Sequence, residues 1–363
     1  MPELPEVETV ARDLRPRLVG ATIVGARTSW ARTLRTHDPA SFAVAIAGHR
    51  IEAVGRRAKL VVVELDGGLG LTIHLKMTGQ LFVVPADAQV DPYVRLILEL
   101  ADGRELRFRD IRKFGRVGLY ARDPATHELI TEPGGAAVFA GHGPEPLDDT
   151  FTLQAFRRRI RVRTGRLKPL LLDQAFVAGI GNIYADEALW TARLHPLRAA
   201  SSLHPADERR LYGAIRAILA EAVDRRGSSI DDYTAPDGDG RMQERLQVYQ
   251  RTGEPCSRCT HPIRRLVIGA RSTHYCSWCQ RLSTAGRRAA RRVLATVTGG
   301  TLPTERTRRA AATRRATARA AMLPTPTPTP TPSGESFGIA ALAGSGAGAG
   351  SGSGAGARAG EHR

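Results

Sequence analysis

Cysteine is scarce in this sequence, which has four cysteines in 363 residues, all of them between positions 256 and 279. The scarcity excludes a scaffold held together by disulfides and fits a reducing cytoplasm, which is the location we expect. The sequence also lacks any run of about 18 apolar residues, so we expect no membrane-spanning helix and no membrane partner. Its first eight residues include three glutamates and no apolar block, which argues against a secretory signal.

Acidic residues are too few to balance the basic ones. The chain has 36 Asp and Glu against 53 Lys and Arg, which gives a formal net charge of +17 and a pI near 10.8. A chain with this excess is attracted to polyanions, and nucleic acid is the first candidate. The length alone suggests two domains with additional segments.

Hydrophobic periodicity divides the chain into a β-rich part and a helical part. Apolar residues recur every three or four positions from Val7 to Leu18, which predicts a first helix that Gly20 can end. Val94–Leu100 alternates as a strand does. We therefore predict an α+β, multidomain chain. It has an antiparallel sandwich or barrel after one helix in residues 1–135, a linker in 136–150, a helical domain in 151–250 and a cysteine module in 251–281.

The remaining residues, 282–363, are predicted to form a disordered tail. Residues 281–322 contain eleven Arg and one Glu, a net charge of +10. A Pro-Thr repeat follows in residues 324–332, and then a stretch rich in Gly, Ala and Ser. Such compositions bury too little apolar surface to offset the entropy of ordering. Two interpretations of the arginines stay open: an arm that binds phosphates without sequence preference, and a solvated tail that adds solubility.

The cysteines form the sharpest local motif. Two C-x2-C pairs are separated by 16 residues, a spacing that brings four thiolates together on a β-hairpin with residues 269–270 near its tip. Four cysteines leave no open position on a metal, so we predict one structural Zn²⁺; an iron site of the rubredoxin type and an accidental pairing are the alternatives. The predicted ligands are Cys256, Cys259, Cys276 and Cys279.

A glycine-containing turn separates two predicted helices. Residues 179–182 read Gly-Ile-Gly-Asn, and glycines allow close approach of a partner while the next helix offers free N–H groups to an anion. Asn182 can cap that helix or bind a phosphate, and Lys168 lies before the preceding helix. The alternative is that the glycines only shape the turn.

The first residues combine a proline with carboxylates. Removal of Met1, which a small second residue permits, leaves Pro2 with a free secondary amine. An α-amino group has a pKa of about 8, so an appreciable fraction is unprotonated and nucleophilic at neutral pH. Glu3 and Glu6 are candidates for acid–base work beside it. Proline and glutamate are also common at helix starts, which is the purely structural alternative.

The opening residues 1–10 resemble those of bacterial formamidopyrimidine-DNA glycosylases, within the wider family that includes endonuclease VIII. The likeness continues in the same order to Gln280, about three quarters of the chain. Besides the cysteine module, it is carried by residues 56–59, 74–79, 110–115, 143–146, 168–170, 179–187 and 247–249.

The resemblance implies a fold and an activity. An N-terminal β-sandwich would face a helix–two-turn–helix domain that carries a β-hairpin zinc finger, with double-stranded DNA between them. The implied activity is a bifunctional DNA glycosylase and AP lyase of base excision repair, which removes 8-oxoguanine and formamidopyrimidines and then cleaves by β,δ-elimination. The implied partner is DNA with oxidised bases or abasic sites, and we expect a nucleoid-associated monomer.

The resemblance also implies roles for single residues. Pro2 would attack the sugar C1′ and form a Schiff base, Glu3 would protonate the sugar oxygen, Lys59 would assist early steps, and Arg271 would hold a phosphate and assist the second elimination. Met77, Arg112 and Phe114 would fill the gap left by the flipped base, although Met77 and Phe114 could be ordinary core residues. The full set of implied DNA contacts is His74, Met77, Arg112, Phe114, Arg163, Lys168 and Asn182.

One position departs from the family pattern, and two other functions compete. Asp91 stands where the family often has a histidine, and a negative side chain there should not hold a phosphate. An endonuclease VIII-like enzyme for oxidised pyrimidines is the nearest alternative, but Leu4 and the set of gap-filling residues favour the purine branch. A non-catalytic DNA-binding protein would use the finger and the basic tail, but it has no need of Pro2, Glu3 and Lys59.

Overall fold

A computed structural model describes residues 1–229, 238 and 240–299. The helices are α1 Leu4–Leu18, α2 Pro39–Ile46, α3 Leu153–Arg161, α4 Leu167–Leu172, α5 Asn182–Thr191, α6 Pro205–Asp224, α7 Thr284–Ala289 and α8 Arg291–Leu294. The strands are β1 Ile23–Thr28, β2 Ile51–Arg57, β3 Leu60–Leu65, β4 Leu69–His74, β5 Gly79–Pro85, β6 Val94–Leu100, β7 Arg104–Asp110, β8 Arg116–Arg122, β9 Leu129–Ile130, β10 Arg264–Ile268 and β11 Arg271–Tyr275. None of the helices described is both long and apolar enough to cross a membrane.

The N-terminal part is an antiparallel sandwich with a helix against it, as predicted. One sheet has the strand order β1-β6-β7-β5 and the other β2-β3-β4-β8-β9. Their apolar faces share one core with α1, which contributes Val7, Val10, Leu14 and Leu18. The apolar face that the 3.6-residue period creates on α1 therefore packs against the sandwich. The helix ends just before Gly20, whose φ is +90°.

The other face of β6 and β7 is also covered, which simple alternation does not predict. Arg95 and Ile97 are buried along with the leucines of β6. Polar side chains on this face pair with one another: the carboxylate of Glu105 accepts from Arg107 at 2.6 Å and from Arg27 at 2.5 Å. Paired charges of this kind lose water with little net cost because each is hydrogen-bonded.

The C-terminal part is helical and has its own core. That core joins apolar residues of α3 to α6 with Leu4 at the start of α1. Helices α4 and α5 are separated by a turn in which Gly179 has a φ of +83°, and a Cβ there would lie 2.7 Å from the Cβ of Leu4. The turn therefore requires glycine both for its backbone and for its contact with α1.

Residues 282–299 correct the prediction of a disordered tail. Leu282 and Ala290 are buried, and three apolar residues that follow pack with them against Leu266, Ile268 and Tyr275 of the β10–β11 hairpin. The backbones of Arg265 and Thr298 exchange hydrogen bonds of 2.9 and 2.7 Å, which adds one residue pair to the hairpin edge. Scattered apolar residues, too sparse to give a period, suffice here because the hairpin supplies the other half of the core. The rest of the predicted tail, including the Pro-Thr repeat, lies outside the described residues.

Candidate active site and metal centre

The carboxylate of Glu3 is buried on the N-terminus of α5. Its oxygens accept hydrogen bonds from the backbone N–H of Gly181 at 2.7 Å and of Ile183 at 2.9 Å. The first amides of a helix have no partner inside the helix, so they form a natural anion site. A Cβ at Gly181 would lie 2.3 Å from the carboxyl carbon of Glu3, so only glycine leaves room for it. The anion site predicted at residues 179–182 thus holds a carboxylate of the chain itself.

Glu6 is a second buried carboxylate beside the first. It accepts from the N–H of Glu3 at 2.8 Å, from the hydroxyl of Tyr184 at 2.5 Å and from the N–H of Ser228 at 2.8 Å. Burial and the nearby charge of Glu3 raise its pKa. The contacts with Tyr184 and Ser228 were not predicted, because residues more than 170 positions apart leave no local signal. Glu6 therefore fixes the backbone of the first residues rather than reaching outward.

Pro2 is buried next to this pair of carboxylates, whereas Met1 is 36% exposed. In the encoded chain the nitrogen of Pro2 is an amide nitrogen bonded to Met1. Removal of Met1 would place a secondary amine one residue from Glu3. The exposure of Met1 is consistent with such processing.

Lys59 lies in the two-residue turn between β2 and β3, where Ala58 has a φ of +54°. The carboxylate of Glu145 holds this turn, because it accepts from the N–H of Ala58 at 2.6 Å and from Arg57 at 2.6 Å. Burial lowers the pKa of Lys59, whereas the charges of Glu3 and Glu6 oppose that shift. Arg271 is also close enough to lower the pKa of Lys59. The structure therefore brings the predicted residues Glu3, Lys59 and Arg271 into one electrostatic cluster.

His74 ends β4 and is held in a neutral form. Its Nδ1 accepts a hydrogen bond of 3.0 Å from the N–H of Lys76. Burial lowers the pKa of His74 to about 3, and the charges of Lys76 and Lys59 act in the same direction. The imidazole is therefore uncharged at neutral pH, so any contact that it makes with DNA is a hydrogen bond rather than an ion pair.

The three predicted gap-filling residues lie on two loops that one buried carboxylate connects. Asp110 accepts from the hydroxyl of Thr78, next to Met77, and from the N–H of Gly115 at 2.6 Å, next to Phe114. Arg112 is exposed, with its guanidinium carbon 5.2 Å from the ring centroid of Phe114. Phe114 itself is 46% exposed, which contradicts its interpretation as a core residue. Met77 is half-buried.

Lys168 is corrected from a phosphate contact to an internal ion pair. Its side chain is fully buried, and its ammonium donates to the carboxylate of Asp186 at 2.6 Å and to the carbonyl of Asn182 at 2.9 Å. The side-chain amide of Asn182 in turn donates to the carbonyl of Ser272 at 2.9 Å. Both residues thus connect α5 to its surroundings, and a phosphate contact of Asn182 stays a prediction.

The two other positions that the sequence analysis relates to DNA contacts are Arg163 and Asp91. Arg163 is exposed just after α3, and its phosphate contact stays a prediction. Asp91 accepts from the guanidinium of Arg109 at 2.9 Å, and Arg109 is buried. The carboxylate that departs from the family pattern therefore neutralises a neighbouring arginine.

Two acids of α5 hold the segment that leads to the cysteine module and the hairpin that belongs to it. Asp186 accepts from the N–H of His274 at 2.9 Å. Glu187 accepts from three successive backbone N–H groups, those of residues 247, 248 and 249, at 2.8 to 2.9 Å. Burial raises the pKa of Glu187 to about 7. Sequence reasoning missed both, although two adjacent acids in an otherwise apolar helix are a usable signal for buried polar contacts.

The four cysteines converge on one point. Their Sγ atoms all lie within 4.8 Å of one another, and the Cys259–Cys276 distance is 3.4 Å. Zn–S bonds of about 2.3 Å in a tetrahedron place sulfurs roughly 3.8 Å apart, so the cluster fits zinc. Cys256 and Cys276 are buried, and the indole N–H of Trp190 points at Cys256 Sγ from 3.5 Å. The predicted ligand set thus forms one structural Zn²⁺ site.

This site supports the hairpin that carries Arg271. The hairpin turns at Gly269 and Ala270, as predicted, and Arg271 is the next residue. Cys276 follows β11 directly, so the metal fixes the end of the strand on which Arg271 begins.

We predict that Cys276→Ser removes the metal and loosens the hairpin. Three thiolates bind zinc more weakly than four, and folding of a small finger depends on its metal. Metal analysis should fall from one zinc per chain to nearly none, while Ser277→Ala, the adjacent control, keeps the full content. A full zinc content in Cys276→Ser would contradict the assignment.

Models of three protein families match the chain in order. The formamidopyrimidine-DNA glycosylase N-terminal domain matches residues 1–117, the formamidopyrimidine-DNA glycosylase H2TH domain matches residues 142–234, and the zinc finger found in FPG and IleRS matches residues 253–282. The order agrees with the predicted sequence of sandwich, helical domain and finger.

Individual proteins show the same similarity. The formamidopyrimidine-DNA glycosylase of Chloroflexus aurantiacus is 50% identical over 284 residues, which cover 77% of this chain and 98% of the relative. That of Herpetosiphon aurantiacus is 47% identical over 282 residues, covering 77% of this chain and 100% of the relative.

Solved structures agree. Lactococcus lactis Fpg in complex with DNA containing an abasic site is 36% identical, with a TM-score of 0.69, and the match covers 77% of this chain and 100% of that one. MutM (Fpg) from Thermus thermophilus is 41% identical, with a TM-score of 0.68, and covers 78% and 100%. On these grounds the chain belongs to the formamidopyrimidine-DNA glycosylase family.

Proposed function

We propose that this protein is a bifunctional DNA glycosylase and AP lyase of base excision repair that removes oxidised purines, chiefly 8-oxoguanine and formamidopyrimidines. The observation that carries the proposal is the position of Glu3, which is buried on α5 beside Pro2 and within electrostatic range of Lys59. The names of the relatives support the substrate class. Structures of Lactococcus lactis Fpg bound to abasic-site DNA and to DNA containing N7-benzyl-Fapy-dG support the DNA partner.

The first step uses the amine of Pro2. After loss of Met1, the nitrogen forms a bond to C1′ of the damaged nucleotide, and the bond from C1′ to the base breaks. The base leaves with the electron pair of that bond and takes up a proton from water. The proton that the amine releases passes to the adjacent Glu3 carboxylate. Glu3 then delivers it to the sugar ring oxygen as the ring opens to an iminium ion. A general acid next to the nucleophile is what this sequence of bond changes requires.

The second stage cleaves the DNA strand. The iminium acidifies the protons on C2′, so loss of one of them to water forms a C2′–C3′ double bond and expels the 3′ phosphate by β-elimination. Loss of the C4′ proton to water then extends the conjugation and expels the 5′ phosphate by δ-elimination, which leaves a one-nucleotide gap. In this proposal Lys59 and Arg271 bind these phosphates, and their closeness to each other supports a shared role. The carboxylates of Glu3 and Glu6 oppose the effect of burial on Lys59 and help to keep its ammonium charged.

The two loops tied by Asp110 fit the task of replacing an extruded base. Phe114 presents an apolar ring and Arg112 a row of N–H donors that can pair with the orphaned base. Because Asp110 fixes both loops, the side chains are held at the surface before DNA arrives. A rigid wedge loses less entropy on insertion than a flexible one.

We predict that borohydride traps a covalent enzyme–DNA adduct on Pro2. Pro2→Gly, or retention of Met1, should reduce trapping and base release to near background, because the secondary amine is lost. Pro124→Gly, which changes an exposed proline in the loop between β8 and β9, serves as the matched control and should trap normally. Peptide mapping that places the adduct on Lys59 would overturn the assignment of the nucleophile.

We predict a substrate-dependent defect for the gap-filling residues. Met77→Ala and Phe114→Ala should slow excision of 8-oxoguanine from duplex DNA by roughly 10- to 100-fold, since base extrusion costs a few kcal/mol. Cleavage of a preformed abasic site should change far less. Val44→Ala, which truncates an 80% exposed apolar residue, is the control and should affect neither reaction. Equal losses on both substrates would instead indicate damaged folding.

A further inference from the structure

The segment after the zinc finger carries an unusual concentration of positive charge. Residues 281–299 contain five arginines and no acidic residue, and all five arginines are exposed. The zinc-finger family model ends at residue 282, and the relatives described above match 77% of this chain. The segment is therefore an addition of this chain to a complete family core. We call residues 283–299 the extension.

The extension is held in place from two sides. Its apolar residues pack on the hairpin, and the N–H of Val267 donates to the hydroxyl of Thr296 at 3.2 Å. On the other side, the guanidinium of Arg166, just before α4, donates to the carbonyl of Ala289 at 3.2 Å. The arginines of the extension are thus fixed relative to both the finger and the helical domain, unlike those of a free arm.

A cavity of about 400 Å³ lies where the extension meets the helical domain. Its lining includes Arg166, Arg288, Arg291 and Arg292, and no carboxylate among the described residues contributes to it. Four arginines therefore belong to one concave site, and their positive charges repel each other unless an anion is present. Guanidinium groups match phosphate oxygens in geometry as well as charge, so the site fits phosphodiesters.

The cavity borders the elements that the proposed function assigns to DNA. Arg166 follows the exposed Arg163 by three residues, and the hairpin that supports the extension carries Arg271 at its tip. Arginines therefore occur on the hairpin, on the loop before α4 and on the extension that contacts both of them. Duplex DNA is a long polyanion that can meet positive charges on several neighbouring elements at once, which a small anion cannot do.

We propose that the extension is a second DNA clamp, in which Arg166, Arg288, Arg291 and Arg292 bind backbone phosphates of the duplex away from the lesion. This proposal rests on the proposed function, because it takes the substrate to be duplex DNA. Phosphate contacts carry no sequence information, so the clamp raises affinity for damaged and undamaged DNA alike. Choice of the lesion stays with the active site.

The direct test compares two variants that remove the same charge. One is Arg288→Gln, Arg291→Gln and Arg292→Gln together. The control is Arg12→Gln, Arg104→Gln and Arg209→Gln, three arginines on α1, β7 and α6 outside the cavity. Affinity for an undamaged duplex is measured over a range of salt concentrations.

The clamp variant should bind about tenfold more weakly at 50 mM salt, and its salt slope should be shallower by about 2 to 3, since each phosphate contact contributes about 0.9. The control should keep the wild-type slope. An unchanged slope in the clamp variant, or an equal change in both variants, would overturn the proposal.

A second variant tests whether the arginines must be held in place by packing of the extension on the hairpin, or whether their charge alone is enough. Val293→Ser with Leu294→Ser keeps every arginine but removes apolar contacts with the hairpin. If the fixed site binds phosphates, this variant should also show weaker binding and a shallower slope. Wild-type behaviour would mean that charge alone matters, and the clamp would be refuted.

Failure of this proposal is distinguishable from failure of the proposed function. Single-turnover excision at saturating enzyme and borohydride trapping should stay within about twofold of wild type in the clamp variant. Absence of excision and trapping in the wild-type protein would refute the proposed function, whatever the salt slopes show.

Discussion

The organisation of this protein depends on the hydrogen bonds that the N-terminus of α5 makes to the carboxylate of Glu3. A buried carboxylate is costly unless donors satisfy it, and charge-assisted hydrogen bonds contribute about 1.5–3 kcal/mol each. The amides of Gly181 and Ile183 supply them. Because Glu3 belongs to the first residues and α5 to the helical domain, this contact fixes the position of Pro2 relative to the elements that hold DNA in the proposed function.

The same helix organises what lies beyond it. Asp186 joins Lys168 to the backbone of β11, and Glu187 binds the segment leading to the cysteines. Trp190, near the end of α5, donates to Cys256. One helix of ten residues therefore connects the candidate nucleophile, the helical domain and the zinc centre. Because α5 is a rigid element, we expect that a change at one of these three sites shifts the other two.

Local signals in the sequence predicted the elements but not their polar connections. The period of α1 and the spacing of the cysteines are set by residues close together in the sequence. The predictions that rest on them, the first helix and the zinc site, are confirmed. Lys168 was misjudged because its partner Asp186 lies 18 positions away and a lysine alone looks like a DNA contact. The extension was misjudged because its apolar residues have no period and become a core only against β10 and β11. Glu145 lies in the motif at residues 143–146, but its hydrogen bond to the turn with Lys59 spans 87 positions and leaves no local signal in the sequence.

In the proposed function the fit between Glu3 and Gly181 positions the nucleophile, and the addition of a single methyl group tests this. Gly181→Ala places a Cβ where the Glu3 carboxylate lies, whereas Gly213→Ala adds the same methyl to α6 with no atom within 4 Å. Single-turnover excision of 8-oxoguanine is measured for both variants, with zinc content as the check on folding. We predict a loss of about 100-fold for Gly181→Ala, comparable to removing an active-site hydrogen bond, with wild-type rates for Gly213→Ala and full zinc in both. A wild-type rate for Gly181→Ala would contradict it.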